Sequence, residues 1–184
     1  EKADQLAITS RYKSEFLAHY YQGRLRPRED YAMGLIGTWA RMGAKVPALA
    51  NFLGQTPGLS ALTKAAAGIT QHRKLPKFAA QTFARQFHRR PRDTAAGLPV
   101  LLWPDVFNDV FCPQTLEAAV AVLKLLGFTV TIPDRDLPEV RPLIHYGMLD
   151  RARHGLEEIV RALRPTLDAG IPIVGLEPRS EERR

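Results

Sequence analysis

The chain has 184 residues, of which 45% are hydrophobic and 24% charged, a composition typical of a soluble globular protein with enough apolar side chains for a core. No stretch reaches the roughly 18 consecutive apolar residues of a membrane helix, and we expect no signal peptide. A single cysteine excludes an internal disulfide. The simplest location is therefore the cytoplasm, with any membrane-peripheral placement coming through partners.

The net charge of +7 is unevenly distributed along the chain. Residues 1–95 contain 16 Lys/Arg and 6 Asp/Glu, whereas residues 96–184 contain 10 and 13. The simplest interpretation is a basic helical layer that faces solvent, and docking of an acidic protein is the second. Nucleic-acid binding is disfavoured because the arginines are not interleaved with a recognisable binding motif.

The first half of the chain is predicted to be helical. One helix should carry an aromatic face, since its aromatic residues recur every four positions: Tyr12, Phe16 and Tyr20. Asp30 can cap a second helix, which Pro47 should kink or end. The apolar stripe of this helix and its continuation consists of Tyr31, Leu35, Trp39, Met42, Leu49 and Phe52. A third helix is predicted over 59–67, where Gly68 suits the helix end.

Residues 69–97 are basic and proline-containing, which favours a linker with at most one helix, around 79–87. This linker divides the chain into two predicted units. Residues 1–95 form a basic helical segment with its linker, and residues 96–184 form a second unit.

The second unit alternates between two kinds of pattern. Apolar runs at 98–103, 128–133 and 171–178 predict buried strands, and amphipathic patterns predict helices at 113–126 and 148–164. This order indicates a small parallel-sheet α/β domain that follows the N-terminal helical segment. In such sheets functional loops lie beyond the carboxyl ends of the strands, here at 103–112, 133–147 and from 177 onward.

Few residues in those loops are obvious candidates for chemistry. Cys112 stands at a predicted helix start, where a thiolate is favoured as a ligand or nucleophile; the alternative is a small buried residue. His145 could be a ligand or a proton-transfer group, or make a structural hydrogen bond. Asp105 and Asp109 could bind a cation, or could be a helix cap and a surface charge. Trp103 and Trp39 are expected in the core.

Three long strings resemble the iron–sulfur region of flavin-linked 2-hydroxyacid dehydrogenases, including a cysteine-rich domain shared with heterodisulfide reductase subunits. They are YKSEFLAHYYQGRLRPREDYAMGLIGTWARMGAKVP, LLWPDVFNDVFCPQTLEAAVAVLKLLGFTVTIP and RPLIHYGMLDRARHGLEEIVRALRPTLDAGIPIVGLEP. The resemblance implies an electron-transfer region with 4Fe-4S clusters, in an enzyme that carries FAD on a separate domain and oxidises a D-2-hydroxyacid. It also implies a flavin-binding domain or subunit as partner.

This chain departs from the family at the cluster ligands. The family's Cys-Cys-Gly positions are Pro138, Glu139 and Val140 here, and its Ser-Cys positions are Arg179 and Ser180. A cubane cluster normally needs four thiolates, so we expect no cofactor in this chain. Without a cluster, the loop 134–145 is predicted to be the least ordered part of the second unit, with few contacts and high mobility at 134–140 and order returning by Leu143.

Two functions remain open at this point. The first is the electron-transfer region of a flavin-linked D-2-hydroxyacid oxidoreductase that holds no cluster in this chain and is not active alone. The alternative is a non-catalytic binding or scaffold module that docks an acidic partner.

Overall fold

The computed structural model describes residues 2–91 and 97–176, with residues 2–10 described by their backbone only. The chain is α/β, and its N-terminal part is helical, as predicted. The elements in these ranges are α1 (Lys2–Tyr20), α2 (Arg28–Gly34), α3 (Ile36–Lys45), α4 (Pro47–Gln55), α5 (Leu59–Ala67), α6 (Phe83–His88), β1 (Leu98–Trp103), α7 (Val106–Val110), α8 (Pro113–Leu125), β2 (Phe128–Thr131), α9 (Arg141–His145), α10 (Leu149–Asp168) and β3 (Ile173–Gly175).

The three strands form one parallel sheet in the order β2-β1-β3. Val100 of β1 pairs with Val130 of β2, and Leu102 pairs with Val174 of β3. The central strand is apolar because both of its faces are covered, as is usual in parallel sheets. The predicted parallel sheet is confirmed.

Alternate residues of β1 enter two different layers because successive side chains of a strand point to opposite faces. Val100 and Leu102 pack with Phe83, Leu116 and Val120, which places α6 and α8 on one face. On the other face Leu101 packs with the buried side chains of Leu137, Ile159 and Leu163. The sheet is therefore the middle layer, and its carboxyl edge lies beside the segments that follow β1 and β2.

The helical half joins this sheet domain through small residues. Ala40 and Ala44 of α3 are buried against Val106 and Val110 of α7. Helix α1 contacts α9 and α10, and α2 also contacts α9. Close helix approach requires small side chains at the contact, so α3 turns its small residues inward.

Many large side chains of the helical half consequently lie on the outside. Trp39 is 48% exposed, so the expectation that it belongs to the core is wrong; Trp103, by contrast, is half-buried and packs beside Leu101. The other exposed members of the predicted stripes are Tyr12, Phe16, Tyr20, Tyr31, Met42, Leu49 and Phe52.

Several predicted element boundaries also change. Asp30 does not cap a helix: α2 begins at Arg28 after Pro27, and Asp30 is buried within it. Pro165 does not end α10, which continues to Asp168, since a proline near a helix end removes only one backbone hydrogen bond. The loops after β1 and β2 contain two short helices that the periodicity did not predict, α7 and α9. No helix within the described ranges has the length and apolar character to cross a bilayer.

Candidate functional site

The loop after β1 turns at once into α7, and Asp105 holds this turn. Its Oδ1 accepts hydrogen bonds from the backbone N–H groups of Phe107 (3.1 Å) and Asn108 (2.9 Å). Its Oδ2 accepts a further bond from the Asn108 side-chain amide at 2.7 Å. These bonds satisfy amides that a helix start leaves unpaired. The cap predicted for this acidic pair is therefore confirmed at Asp105, which is buried.

Asp109 lies one helical turn further on and is buried as well, so the predicted surface charge is wrong. Its Oδ1 accepts a 2.7 Å hydrogen bond from the backbone N–H of Ala84. Burial raises the pKa of the Asp109 carboxyl, and the nearby carboxylates of Asp136 and Asp105 raise it further. The Ala84 amide and the Arg41 guanidinium oppose this shift. Asp109 thus links α6 to α7. Its carboxyl has a raised pKa because it is buried near other carboxylates.

The loop after β2 is held by Arg41 of α3 and by its own leucine. The Arg41 guanidinium donates a hydrogen bond to the carbonyl oxygen of Leu137. Leu137 itself is buried between β1 and α10, in contact with the cluster that contains Leu101 and Ile159. Arg41 therefore links the helical half to the carboxyl edge of the sheet.

The positions of the family's Cys-Cys-Gly motif lie between two glycines. A Cβ atom on Gly37 of α3 would come 2.8 Å from the Cβ of Glu139. A Cβ on Gly155 of α10 would come 2.6 Å from the Cγ1 of Val140 and 3.4 Å from the Cγ of Pro138. Real Cβ contacts are not this short, so both helices approach the loop as closely as they do because they lack a side chain there.

This packing corrects the expectation that few contacts hold the loop 134–145. Leu137 takes a place in the core, Pro138 and Val140 fill the space at Gly155, and α9 begins at Arg141. Ordinary protein contacts thus hold the chain where the family carries a metal cluster. The mobility of this loop remains a prediction. These contacts favour an ordered loop instead.

Cys112 is the residue before α8, and its side chain is exposed. The interpretation as a small buried residue is therefore wrong. Its side chain makes no capping hydrogen bond to α8. The predicted ligand positions Arg179 and Ser180 lie outside the described residues.

His145 ends α9 and is exposed, with its ring edge-on to Tyr146 at a centroid distance of 5.1 Å. It borders a wide groove between α1, α9 and α10, and Cys112 does not line that groove. The two candidate residues of the sequence are thus not brought into one site.

The groove is wide and open, with a volume of about 1350 Å³. Sequence reasoning missed it because the amphipathic pattern at 148–164 predicts a helix but does not show which of its apolar side chains remain exposed. Leu156 is 44% exposed and Val160 is 55% exposed, and both face the groove. Positions 149, 152, 156, 159, 160 and 163 have the spacing of a single core-facing stripe, so the pattern did not indicate the groove.

The residues present do not fit an iron–sulfur cluster. Of the family's ligand positions, 138–140 carry proline, glutamate and valine, and they are packed against α3 and α10. Within the described ranges, moreover, no group of three or more His, Cys, Asp or Glu residues is arranged to hold a metal ion.

Comparison with known proteins places the chain near one kind of dehydrogenase. No family model matches it, and no solved structure does. Two D-2-hydroxyglutarate dehydrogenases are similar to it, one from Pantoea ananatis (strain AJ13355) at 22% identity and one from Escherichia coli (strain K12) at 23%. Each alignment covers 91% of this chain and 17% of the relative. The chain therefore has weak homology to 2-hydroxyacid dehydrogenases and spans only a small part of their length.

Proposed function

We propose that this chain is a cluster-free form of the electron-transfer region of a flavin-linked D-2-hydroxyacid oxidoreductase. In this proposal the chain is not active alone. It supports a flavin-binding domain or subunit, which carries FAD and the dehydrogenation. The coarse part, a relation to D-2-hydroxyglutarate dehydrogenases, rests on the similarity over 91% of the chain.

The packing of residues 137–140 is the observation that carries the cluster-free part of the proposal. Thiolates that bind a cluster contribute metal-binding energy to the fold of their loops. Here Leu137 contributes burial in the core instead, and Arg41 contributes a hydrogen bond to the backbone of the loop. The loop is therefore complete as a protein structure without a metal.

The second candidate is a binding module for an acidic protein, and the groove at α10 favours it. Five arginines and two glutamates line the groove. The arginines are Arg11, Arg141, Arg153, Arg161 and Arg164, and the glutamates are Glu15 and Glu157. The two candidates are compatible, since a flavin-binding partner is itself a protein.

Two measurements test the first proposal. The chain, purified without oxygen, should contain no stoichiometric iron or acid-labile sulfide and should show no visible absorbance of a cluster. Tagged chain incubated with an extract of its source cells should retain a protein that releases FAD on denaturation. Stoichiometric iron with sulfide would overturn the cluster-free part, and a retained fraction without FAD would overturn the flavin partner.

A further inference from the structure

The floor of the groove is made by aliphatic side chains of α9 and α10. Leu156 and Val160 are four residues apart, so they lie on the same face of α10. The core-facing side of the same helix is formed by other residues, among them Gly155, Ile159 and Leu163. Leu156 and Val160 lie beside these core-facing residues on the apolar face of α10, and the described residues leave them 44% and 55% exposed. The aliphatic lining of the groove is Ile144, Leu149, Ala152, Leu156 and Val160.

The rim of the groove is basic, and its charges are weakly neutralised. Arg11 pairs with Glu15 at 3.4 Å, and Arg164 pairs with Asp168 at 3.8 Å. All four of these side chains are more than half exposed, and such surface pairs contribute little. Arg153 also lines the groove. Together these arginines produce a positive potential, which a concave apolar surface concentrates along its floor.

Two arginines on the rim can be replaced one at a time without disturbing the core, because both are exposed. Arg153 and Arg161 are exposed, and neither has a carboxylate partner within the described ranges. Arg151 is exposed on the same helix but does not line the groove. It therefore provides a matched control for any change of charge on α10.

The size of the groove decides what kind of ligand it suits. Small-molecule sites usually enclose about 300–1,000 Å³ and bury most of the ligand, whereas this groove is larger, with a volume of about 1350 Å³, and is open. The residues of α10 that line the groove run from Leu149 to Arg164, which gives a wall of roughly 24 Å at 1.5 Å per residue. A wall of this length suits a polypeptide segment rather than a single metabolite.

We propose that the groove between α1, α9 and α10 binds an acidic amphipathic helix of a partner protein. Apolar side chains of that helix, spaced by three or four residues, would lie against Leu156 and Val160, as in other helix-in-groove complexes. Its Asp and Glu residues would face Arg153 and Arg161. This binding would deepen the binding-module candidate and does not depend on the oxidoreductase proposal.

A binding experiment with a defined probe tests this inference. The probe is a fluorescein-labelled peptide of about 16 residues, or roughly 24 Å as a helix, with leucines on one helical face and glutamates elsewhere. Its control has the same composition but a scrambled order that breaks the leucine face. We expect the full chain to raise the anisotropy of the probe and to leave the scrambled peptide unaffected.

Variants of the groove identify where the probe binds. Arg153→Glu and Arg161→Glu should each weaken binding about tenfold, which corresponds to about 1.4 kcal/mol, whereas Arg151→Glu should change it less than about twofold. Leu156→Ser should also weaken binding while the circular dichroism spectrum stays that of the unaltered chain. Higher salt should weaken the probe complex, because the rim charges are exposed.

Three results would overturn the inference. The first is equal binding of the scrambled peptide, which would reduce the interaction to general charge attraction. The second is an equal loss with Arg151→Glu and Arg153→Glu. The third is binding of phosphatidylserine vesicles that displaces the probe, which would make a lipid surface the preferred occupant. None of these results bears on the retention of FAD or the iron analysis.

Discussion

The sheet domain and the helical half of this chain treat their large apolar side chains in opposite ways. In the sheet domain Val100, Leu102 and Leu116 are at most 1% exposed. In the helical half Met42 and Phe52 are 53% and 57% exposed, although they follow a helical apolar period just as regularly. The small residues of α3 make the internal contacts instead.

The difference shows what hydrophobic periodicity can and cannot predict. Periodicity identifies the residues that share a face of a helix, but it does not identify what covers that face. For β1 both covering layers are part of this chain. On the outer faces of α3 and α4 the described residues give only partial cover, and Trp39 and Phe52 remain 48% and 57% exposed. A face that a partner covers and a face that the core covers have the same pattern.

The largest expected effect comes from placing a carboxylate on each of the two kinds of apolar position. Val120→Asp should lower the free energy of unfolding by about 3–5 kcal/mol, because it buries an unpaired charge in the cluster around Leu116. Leu156→Asp should cost less than about 1 kcal/mol, since the side chain is exposed to the groove. Urea unfolding of both variants measures the contrast. Equal losses would mean that Leu156 belongs to the core.

The second expected effect is a loss of stability when Gly155, which packs against residues 138 and 140, gains a side chain. Gly155→Ala gains about 1 kcal/mol of helix propensity, but its Cβ would lie 2.6 Å from the Cγ1 of Val140, and overpacking typically costs about 1–3 kcal/mol. We expect a net loss of about 1 kcal/mol in urea unfolding. Amide exchange at 137–140 should also become faster than in the unaltered chain.

Two further variants make this expectation specific. In Gly155→Ala/Val140→Ala the clashing methyl group is absent, so the loss should be smaller than the sum of the single losses. Gly175→Ala is the control, because a Cβ there meets nothing within 4 Å. If Gly155→Ala proved as stable as Gly175→Ala, the loop would not be clamped by α10.

Most of the sheet domain was predictable because its signals are local and agree with one another. The strand at 98–103 and the helix start at Pro113 have the predicted bounds, as does the helix 59–67 of the helical half. The short helix α7 was not predictable from periodicity, since five residues cover little more than one turn. Its start could have been found from Asp105, whose carboxylate caps it.

The candidate site was less predictable because it depends on contacts between distant segments. Arg41 donates a hydrogen bond to the carbonyl of Leu137, which is 96 residues away in the sequence. No local sequence pattern predicts such a contact. The departures from the family motif at 138–140 were readable from the sequence. How residues 138–140 fill the space that Gly37 and Gly155 leave could not be predicted.

A third, smaller effect is the pH dependence of stability that Asp109 causes. Burial raises the pKa of its carboxyl above the ordinary 3.8, so the folded state binds the proton more tightly than the unfolded state. The contribution of this group to stability is therefore greatest below pH 3.8 and is lost as the pH rises through the raised pKa. Asp109→Asn removes this loss, while its amide oxygen can still accept the Ala84 hydrogen bond.

Unfolding free energies at a series of pH values measure this effect. The difference between Asp109→Asn and the unaltered chain should move in favour of the variant as the pH rises above 3.8. A difference that moves against Asp109→Asn would mean that attraction to Arg41 outweighs burial.

The smallest expected effect is the replacement of an exposed aromatic residue on the helical half. Phe52→Gln on α4 should change the free energy of unfolding by less than about 0.5 kcal/mol, because 57% of the side chain is already exposed and glutamine is at least as good a helix former as phenylalanine. The same change makes the outer face of α4 more polar, so self-association measured by sedimentation at high concentration should decrease. Glu substitution would mix this effect with a change of net charge, whereas Gln leaves the charge at +7. A loss above about 1.5 kcal/mol would place Phe52 in an internal contact, and the two halves of the chain would then differ less than their exposed areas indicate.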